Sequence, residues 1–254
     1  MDVSQSPSLL TTVCVVWALG AIPTLVVGVL RWDPVGRLGT SGLGAQMNAQ
    51  LGWFVYELPA LLTYPAIYLI VGNRHLVGDV VLALWLLHYV HRSLIWCWLI
   101  PKREGFVSMS LVVSSISFNL INGGLLGWYM AFAADYPEQW LLDPRAIVGI
   151  LLFIVGAKLN VWSDYRMRRL RMEAKGDRVF PSGGPFNHIC CPNLAGEMIE
   201  WIGFALLTWS LPGFAFALWT IANLVPRALW RRDWYREKFE TFPKKRAALI
   251  PGVL

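Results

Sequence analysis

Long stretches without a single charge constrain this chain more than any other feature. Leu9–Leu30 has none, Gly105–Ala134 has none, and Trp201–Pro226 has none. A helix needs about 20 predominantly apolar residues to cross a bilayer, and a chain with several such runs has few other places to put them. Composition agrees, with 15% charged residues against about 25% in soluble domains. The reading is an all-α integral membrane bundle.

Seven spans are expected, over roughly Leu9–Leu30, Leu51–Val71, Leu76–Ile100, Phe106–Ala134, Ala146–Trp162, Ala195–Leu211 and Gly213–Leu229. The last two are short and meet at Pro212, which predicts a tight helical hairpin. The leader MDVSQSPS lacks the basic flank of a cleaved signal peptide, so the first run is read as a span. Of the 22 basic residues, seventeen fall in the connections after spans one, three and five or in the C-terminal tail. Only Arg74 and Arg145 fall on the other side, while Arg92, Lys158 and Arg227 lie within spans. Cytoplasmic loops carry the excess of Lys and Arg, so the N-terminus is placed outside and the C-terminus in the cytoplasm. The four cysteines show no CxxC spacing and no disulfide framework. No repeat or low-complexity segment divides the chain, which is read as one domain, 1–254.

The sixth span carries two carboxylates where a membrane helix should have none. In Cys191–Leu207, CPNLAGEMIEWIGFALL, each of Glu197 and Glu200 costs about 2.5–3.5 kcal/mol at a helix centre on insertion scales. Residues three and four apart share a helix face, which aligns Asn193, Glu197 and Glu200. The same spacing aligns Asn160, Asp164, Arg168 and Arg171 on span five, and Arg227, Arg231 and Tyr235 on the extension of span seven. Three consecutive helices thus carry polar stripes at one depth, on the positively charged side. Interhelical ion pairs are the bland explanation for any one of them. Together they fit a ligand-filled cavity: arginines form charge-assisted, bidentate bonds to phosphate-like anions, and amides and carboxylates suit an amide, a ribose hydroxyl or an adenine amino group. A dinucleotide fits that mixture better than an inorganic ion.

A second constellation lies in the N-terminal half. Trp53 and Glu57 are four apart in QLGWFVYELPA, and His88, Tyr89, His91, Arg92 and Trp96 crowd into WLLHYVHRSLIW. A carboxylic acid kept protonated by an apolar site, together with a phenol, makes two donors for an oxyanion developing on a ketone. Gly123-Gly124-Leu125-Leu126-Gly127 reads as close helix packing. Neither a strand-linked GxGxxG nor a Walker pattern occurs, and four scattered histidines argue against a metal site.

Several segments resemble the steroid 5α-reductase family. NVWSDYRMRRLR, CPNLAGEMIEWIGFALLTWSLPGFAFALW and RDWYREKFETFPKKRAALIP look like its C-terminal half, and YELPA and HYVHR look like its two N-terminal signatures. The likeness runs from about residue 50 to the end. It implies an NADPH-dependent membrane reductase of seven helices that reduces the C4–C5 double bond of a 3-oxo-Δ4-steroid, with Glu57 and Tyr89 holding the C3 ketone. It further implies that Asn160, Asp164, Arg171, Arg178, Asn193, Glu197, Arg227, Arg231 and Tyr235 line the cofactor site. Residues about 1–134 would then form the steroid cavity, with Trp53, Tyr56 and Trp96 at the substrate, and residues about 145–254 the cofactor half. Lys102–Arg103 and Arg166–Arg178 would be the basic loops over the nucleotide.

The chain departs from that pattern at three places. Tyr56 stands where animal members have Gln, Arg231 where His is usual, and Trp96 where Tyr is usual. Arg231 keeps a donor, whereas Tyr56 and Trp96 bear on substrate fit. A sister reductase acting on a polyprenal, an acyl thioester or another sterol would share the cofactor half. A membrane methyltransferase using S-adenosylmethionine fits less well, since that cofactor has no phosphate for the arginines. A transporter or scaffold would use the buried charges only for pairing or proton conduction. The expected partners are a hydrophobic enone reached from the bilayer and membrane lipid, with no nucleic acid and no metal, and the chain is read as a monomer.

Overall fold

The computed structural model describes residues 6–30, 45–99, 105–174 and 179–253. Seven long helices make up most of it. They are α1 (Ser6–Leu30), α2 (Ala49–Ile70), α3 (Leu76–Val90), α4 (Met109–Trp128), α5 (Pro144–Glu173), α6 (Pro192–Thr208) and α7 (Leu211–Lys238). The bundle is that of a membrane protein: α1, α2, α3 with its extension to Leu99, α4 with its extension to Ala133, and α5 are each long and apolar enough to span. Helix α6 has 17 residues, and α7 spends nearly its last half on PRALWRRDWYREK, so neither meets the same measure of length and apolarity.

Local chemistry explains the helix ends. Asn48 caps α2 by accepting from the amides of Gln50 and Leu51, His75 caps α3 through the amide of Gly78, and Asp143 caps α5, with Pro144 in the first turn where its missing N–H costs nothing. Two features differ from the sequence expectation. The hairpin between α6 and α7 turns at Trp209, which adopts φ 39°, and at Ser210, whose Oγ accepts from the amide of Gly213. Pro212 instead sits inside the first turn of α7, the position that suits proline. The fourth hydrophobic run also begins as a strand: β1 (Gln46–Asn48) pairs antiparallel with β2 (Phe106–Ser108), Met47 opposite Val107. This short ladder ties the start of α2 to the start of α4.

Helices α5 and α6 pack closest, because glycines face each other along the seam. A Cβ on Gly149 would lie 2.5 Å from the amide nitrogen of Leu207, and one on Gly196 would lie 2.5 Å from that of Asn160. Small residues are what let membrane helices approach so closely. Helix α1 runs along α7, where the indoles of Trp219 and Trp230 donate to the carbonyls of Trp17 (2.8 Å) and Gly28 (3.0 Å). Most of its remaining surface is exposed Leu, Val and Ile, as a lipid-facing helix requires.

The central core stacks Trp85, Trp201, Phe204 and Phe216, with Trp201 4.5 Å from Phe216. A second core sits under the C-terminal tail. There Cys190 and Cys191 donate backbone bonds to Ala247 (2.8 Å) and Ala248 (3.1 Å). Arg246 donates to the carbonyl of Pro181 (2.9 Å) and lies over the rings of Phe242 and Phe180.

Candidate active site

The glycine seam brings two polar stripes into register. Asn160 Nδ2 on α5 donates to the carbonyl of Asn193 (3.0 Å) and to Glu197 Oε2 (3.3 Å) on α6. Asn193 Nδ2 donates back to Asp164 Oδ1 at 2.9 Å. From the other side α3 contributes Arg92, whose guanidinium lies 3.3 Å from Asp164 Oδ2 and 3.9 Å from Glu197 Oε2. The same guanidinium covers the ring of Trp53 at 4.7 Å, a cation–π distance. Four of the residues picked from the stripes and Trp53 thus meet around one arginine.

Arg92, named above only among the residues crowded into span three, turns out to be the centre of the cluster; an arginine inside a span needs a carboxylate partner, and here it has two. Its placement owes something to a widened turn. Beyond Val90 helix α3 continues as a π-wound stretch, His91–Trp96, before Cys97–Leu99. Such turns mark functional sites more often than ordinary helix.

Glu57 and Tyr89 stand next to this cluster. The charged groups that act on Glu57 are Arg92 and His88 from α3, Glu197 from α6 and Arg227 from α7. Glu57 is half-buried, as are Trp53, Tyr56, Glu197 and Arg227. Tyr89 is buried, 4.6 Å from the ring of Trp85, and Glu57, Glu197 and Glu200 are the carboxylates whose charge acts on it. Tyr56 packs on Trp53 at 5.4 Å, and its carbonyl accepts from Asn119.

Other predicted residues lie further out. Trp96 packs on His91 and on Tyr165 of α5. Arg231 acts on Asp164 and on the Cys191 thiol. Arg171 occupies the last turn of α5. Tyr235 is buried in the second core, stacked on Phe242 at 5.5 Å. Arg178 and Lys102–Arg103 lie outside the described residues.

One further pair was not assigned a role from sequence. His88 Nδ1 lies 2.8 Å from Glu200 Oε1, both side chains buried. Beside them opens a cavity of about 1050 Å³ walled mainly by α5, including Asn160, Val161, Trp162, Tyr165 and Arg168. Among the described residues no group of three or more His, Cys, Asp and Glu could hold a metal ion.

Residues 106–254 match the family model described as 3-oxo-5-alpha-steroid 4-dehydrogenase. The chain is 39% identical over 210 residues to the rat protein named 3-oxo-5-alpha-steroid 4-dehydrogenase 2, covering 82% of each. It is 37% identical to the protein of that name from Macaca fascicularis, covering 98% of this chain and 97% of the relative. It is 35% identical to the Arabidopsis thaliana protein named steroid 5-alpha-reductase DET2, covering 91% of each.

Proposed function

The chain belongs to the 3-oxo-5-alpha-steroid 4-dehydrogenase family, and on that premise we propose that it reduces the C4–C5 double bond of a 3-oxo-Δ4-steroid with NADPH as reductant. The observation that carries the mechanistic reading is the placement of a half-buried Glu57 within the electrostatic reach of Arg92, His88, Glu197 and Arg227. An acid in that setting serves a ligand more readily than it serves packing.

The residues suit a dinucleotide. Asn193 Oδ1 is buried without a protein partner, an acceptor of the kind that a carboxamide N–H or a ribose hydroxyl satisfies. Asn160, Asp164, Asn193 and Glu197 would hold such polar groups. Arg171, Arg178, Arg227 and Arg231 would hold the phosphates as charge-assisted donors, with Tyr235 supporting that end. Bound there, NADPH supplies the hydride that C5 accepts.

The chain's own residues do the rest. Glu57 and Tyr89 donate to the C3 oxygen, and their bonds strengthen as negative charge builds there. Arg92 fixes the local field, since it pairs with Asp164 and reaches Glu197 without leaving its place over Trp53. Trp53, Tyr56 and Trp96 border the steroid. We further infer seven spans in all, with α6 and α7 completing the crossing, the N-terminus outside and the C-terminus in the cytoplasm, as a single domain and a monomer. The first half, about residues 1–134, would hold the steroid and about 145–254 the cofactor.

The test uses the detergent-purified chain. A reduced nicotinamide cofactor should copurify or bind, and progesterone or testosterone should trigger loss of its absorbance with formation of a 5α-reduced product. Oxidation only with a prenyl or acyl enone would move the assignment to a sister reductase, and no binding of either nicotinamide would end it.

A further inference from the structure

Each turnover of the proposed reaction consumes a proton as well as a hydride: C5 takes the hydride, C4 takes the proton, and the C3 oxygen returns to a ketone. That proton must come from water, and Tyr89 is buried with only 4% of its surface accessible. We propose that His88 delivers it, with Glu200 as the residue that sets the tautomer and orientation of the imidazole. This inference rests on the reductase reading and adds to it.

Three observations lead there. First, His88 and Glu200 both border the 1050 Å³ cavity on α5, so the pair is in reach of water although each side chain is buried. Second, Glu200 binds His88 through Oε1 alone at 2.8 Å, while its Oε2 is buried and has no protein partner. A pair kept only for helix packing would have satisfied both oxygens, because an unmet buried acceptor costs stability. Third, His88 adjoins the proposed reaction site: its ring lies 4.9 Å from that of Tyr89 in an edge contact and 4.7 Å from that of Trp201, and it is one of the titratable groups that act on Glu57.

The chemistry follows the logic of a carboxylate-oriented histidine. Glu200 accepts the Nδ1–H of His88, which leaves Nε2 as the nitrogen that exchanges protons. Tyr89, beside the C3 oxygen, gives its phenolic proton to C4 one atom away; the protonated Nε2 of His88 returns a proton to the phenolate, and Nε2 recovers one from water in the cavity, whose hydroxide leaves to solvent. The dyad then returns to its starting charge. One proton enters, one C–H bond forms at C4, and no electron passes through the imidazole.

The experiment compares the wild-type protein with Glu200→Gln and His88→Ala, measuring steroid turnover, steroid KM and NADPH dissociation constant, with and without added imidazole. General acid–base groups contribute about 10²–10⁴-fold. His88→Ala should therefore lose about 10²-fold or more in kcat while its NADPH affinity holds, and imidazole, admitted through the cavity, should restore part of the rate in a dose-dependent way. Glu200→Gln keeps the shape of the side chain and should lower kcat about tenfold or more with KM and NADPH affinity unchanged. A purely structural pair would not respond to imidazole. Retention of wild-type kcat in either variant, or a loss that imidazole leaves untouched in a His88→Ala protein still binding NADPH, overturns the proposal. Should His88→Ala fail to fold, Glu200→Gln decides alone. Absence of steroid turnover in the wild-type protein would instead overturn the reductase reading.

Discussion

Arg92 on α3 reaches Asp164 on α5 at 3.3 Å, both side chains about nine-tenths buried. The same guanidinium extends to Glu197 at 3.9 Å. Truncating it would strand two carboxylates inside the bundle, which by the usual penalty for breaking a buried pair costs about 3–5 kcal/mol. Arg92→Ala should therefore lower the midpoint of thermal unfolding in detergent markedly and reduce folded yield. Arg92→Lys, which keeps the charge but not the planar fork, should fall between the two. An Arg92→Ala protein with an unchanged midpoint would show that the cluster is held by something else.

Glu57 lies on α2 and Arg171 in the last turn of α5, and on the proposed assignment their variants should separate. Glu57→Gln removes a donor that matters most in the transition state, so kcat should fall by about 10²–10³-fold. NADPH binding should change far less. Arg171→Ala should raise the NADPH dissociation constant and leave the rate at saturating cofactor much closer to normal. Isothermal binding and steady-state rates on both variants check the split; matching effects on both quantities would merge the two proposed sites into one.

The sequence carried the helices and their polar faces because both are periodic within a single element. Asn160 and Asp164, or Asn193 and Glu197, announce a face by spacing alone. It did not carry how the faces dock. Whether Asn160 meets Asn193 depends on the contact between α5 and α6, and that is set by Gly149, Gly156, Gly196 and Gly203 on two different helices. The widened turn at His91–Trp96 left no mark either, since HRSLIW differs in no obvious way from ordinary helix. The ladder Gln46–Asn48 with Phe106–Ser108 is three residues long on each side, too short to show alternation. The C-terminal tail was legible as a motif, but its burial through Cys190 and Cys191 was not.

The glycine seam should be intolerant of a single methyl group. A Cβ at Gly156 would strike the backbone of Glu200 and the carbonyl of Gly196, neither of which can rotate away. Gly156→Ala should cost about 1–3 kcal/mol, as overpacking usually does, and it should lower turnover by parting Asn160 from Asn193 and His88 from Glu200. Gly124→Ala provides the comparison, because its Cβ meets nothing within 4 Å. That variant should be neutral or slightly stabilised, with normal activity, in thermal unfolding and rate measurements on the same preparation.

The thiol of Cys190 is fully buried, and burial, aided by the neighbouring Cys191 thiol, pushes it up to about 12 from an ordinary 9.0. Only the thiolate reacts with alkylating agents, so at pH 8 a maleimide should leave Cys190 and Cys191 unmodified in the folded protein and label both after denaturation, which intact-mass measurement reads directly. A stability consequence follows with a definite sign. Between about pH 9 and pH 12 the unfolded chain gives up the Cys190 proton while the folded chain retains it. The unfolded state then binds fewer protons, so stability falls as pH rises through that window and is whole below it. Cys190→Ala should flatten part of that alkaline loss. Rapid labelling of Cys190 in the folded protein at pH 8 would mean that the tail segment holding Ala247 and Ala248 does not stay docked over it.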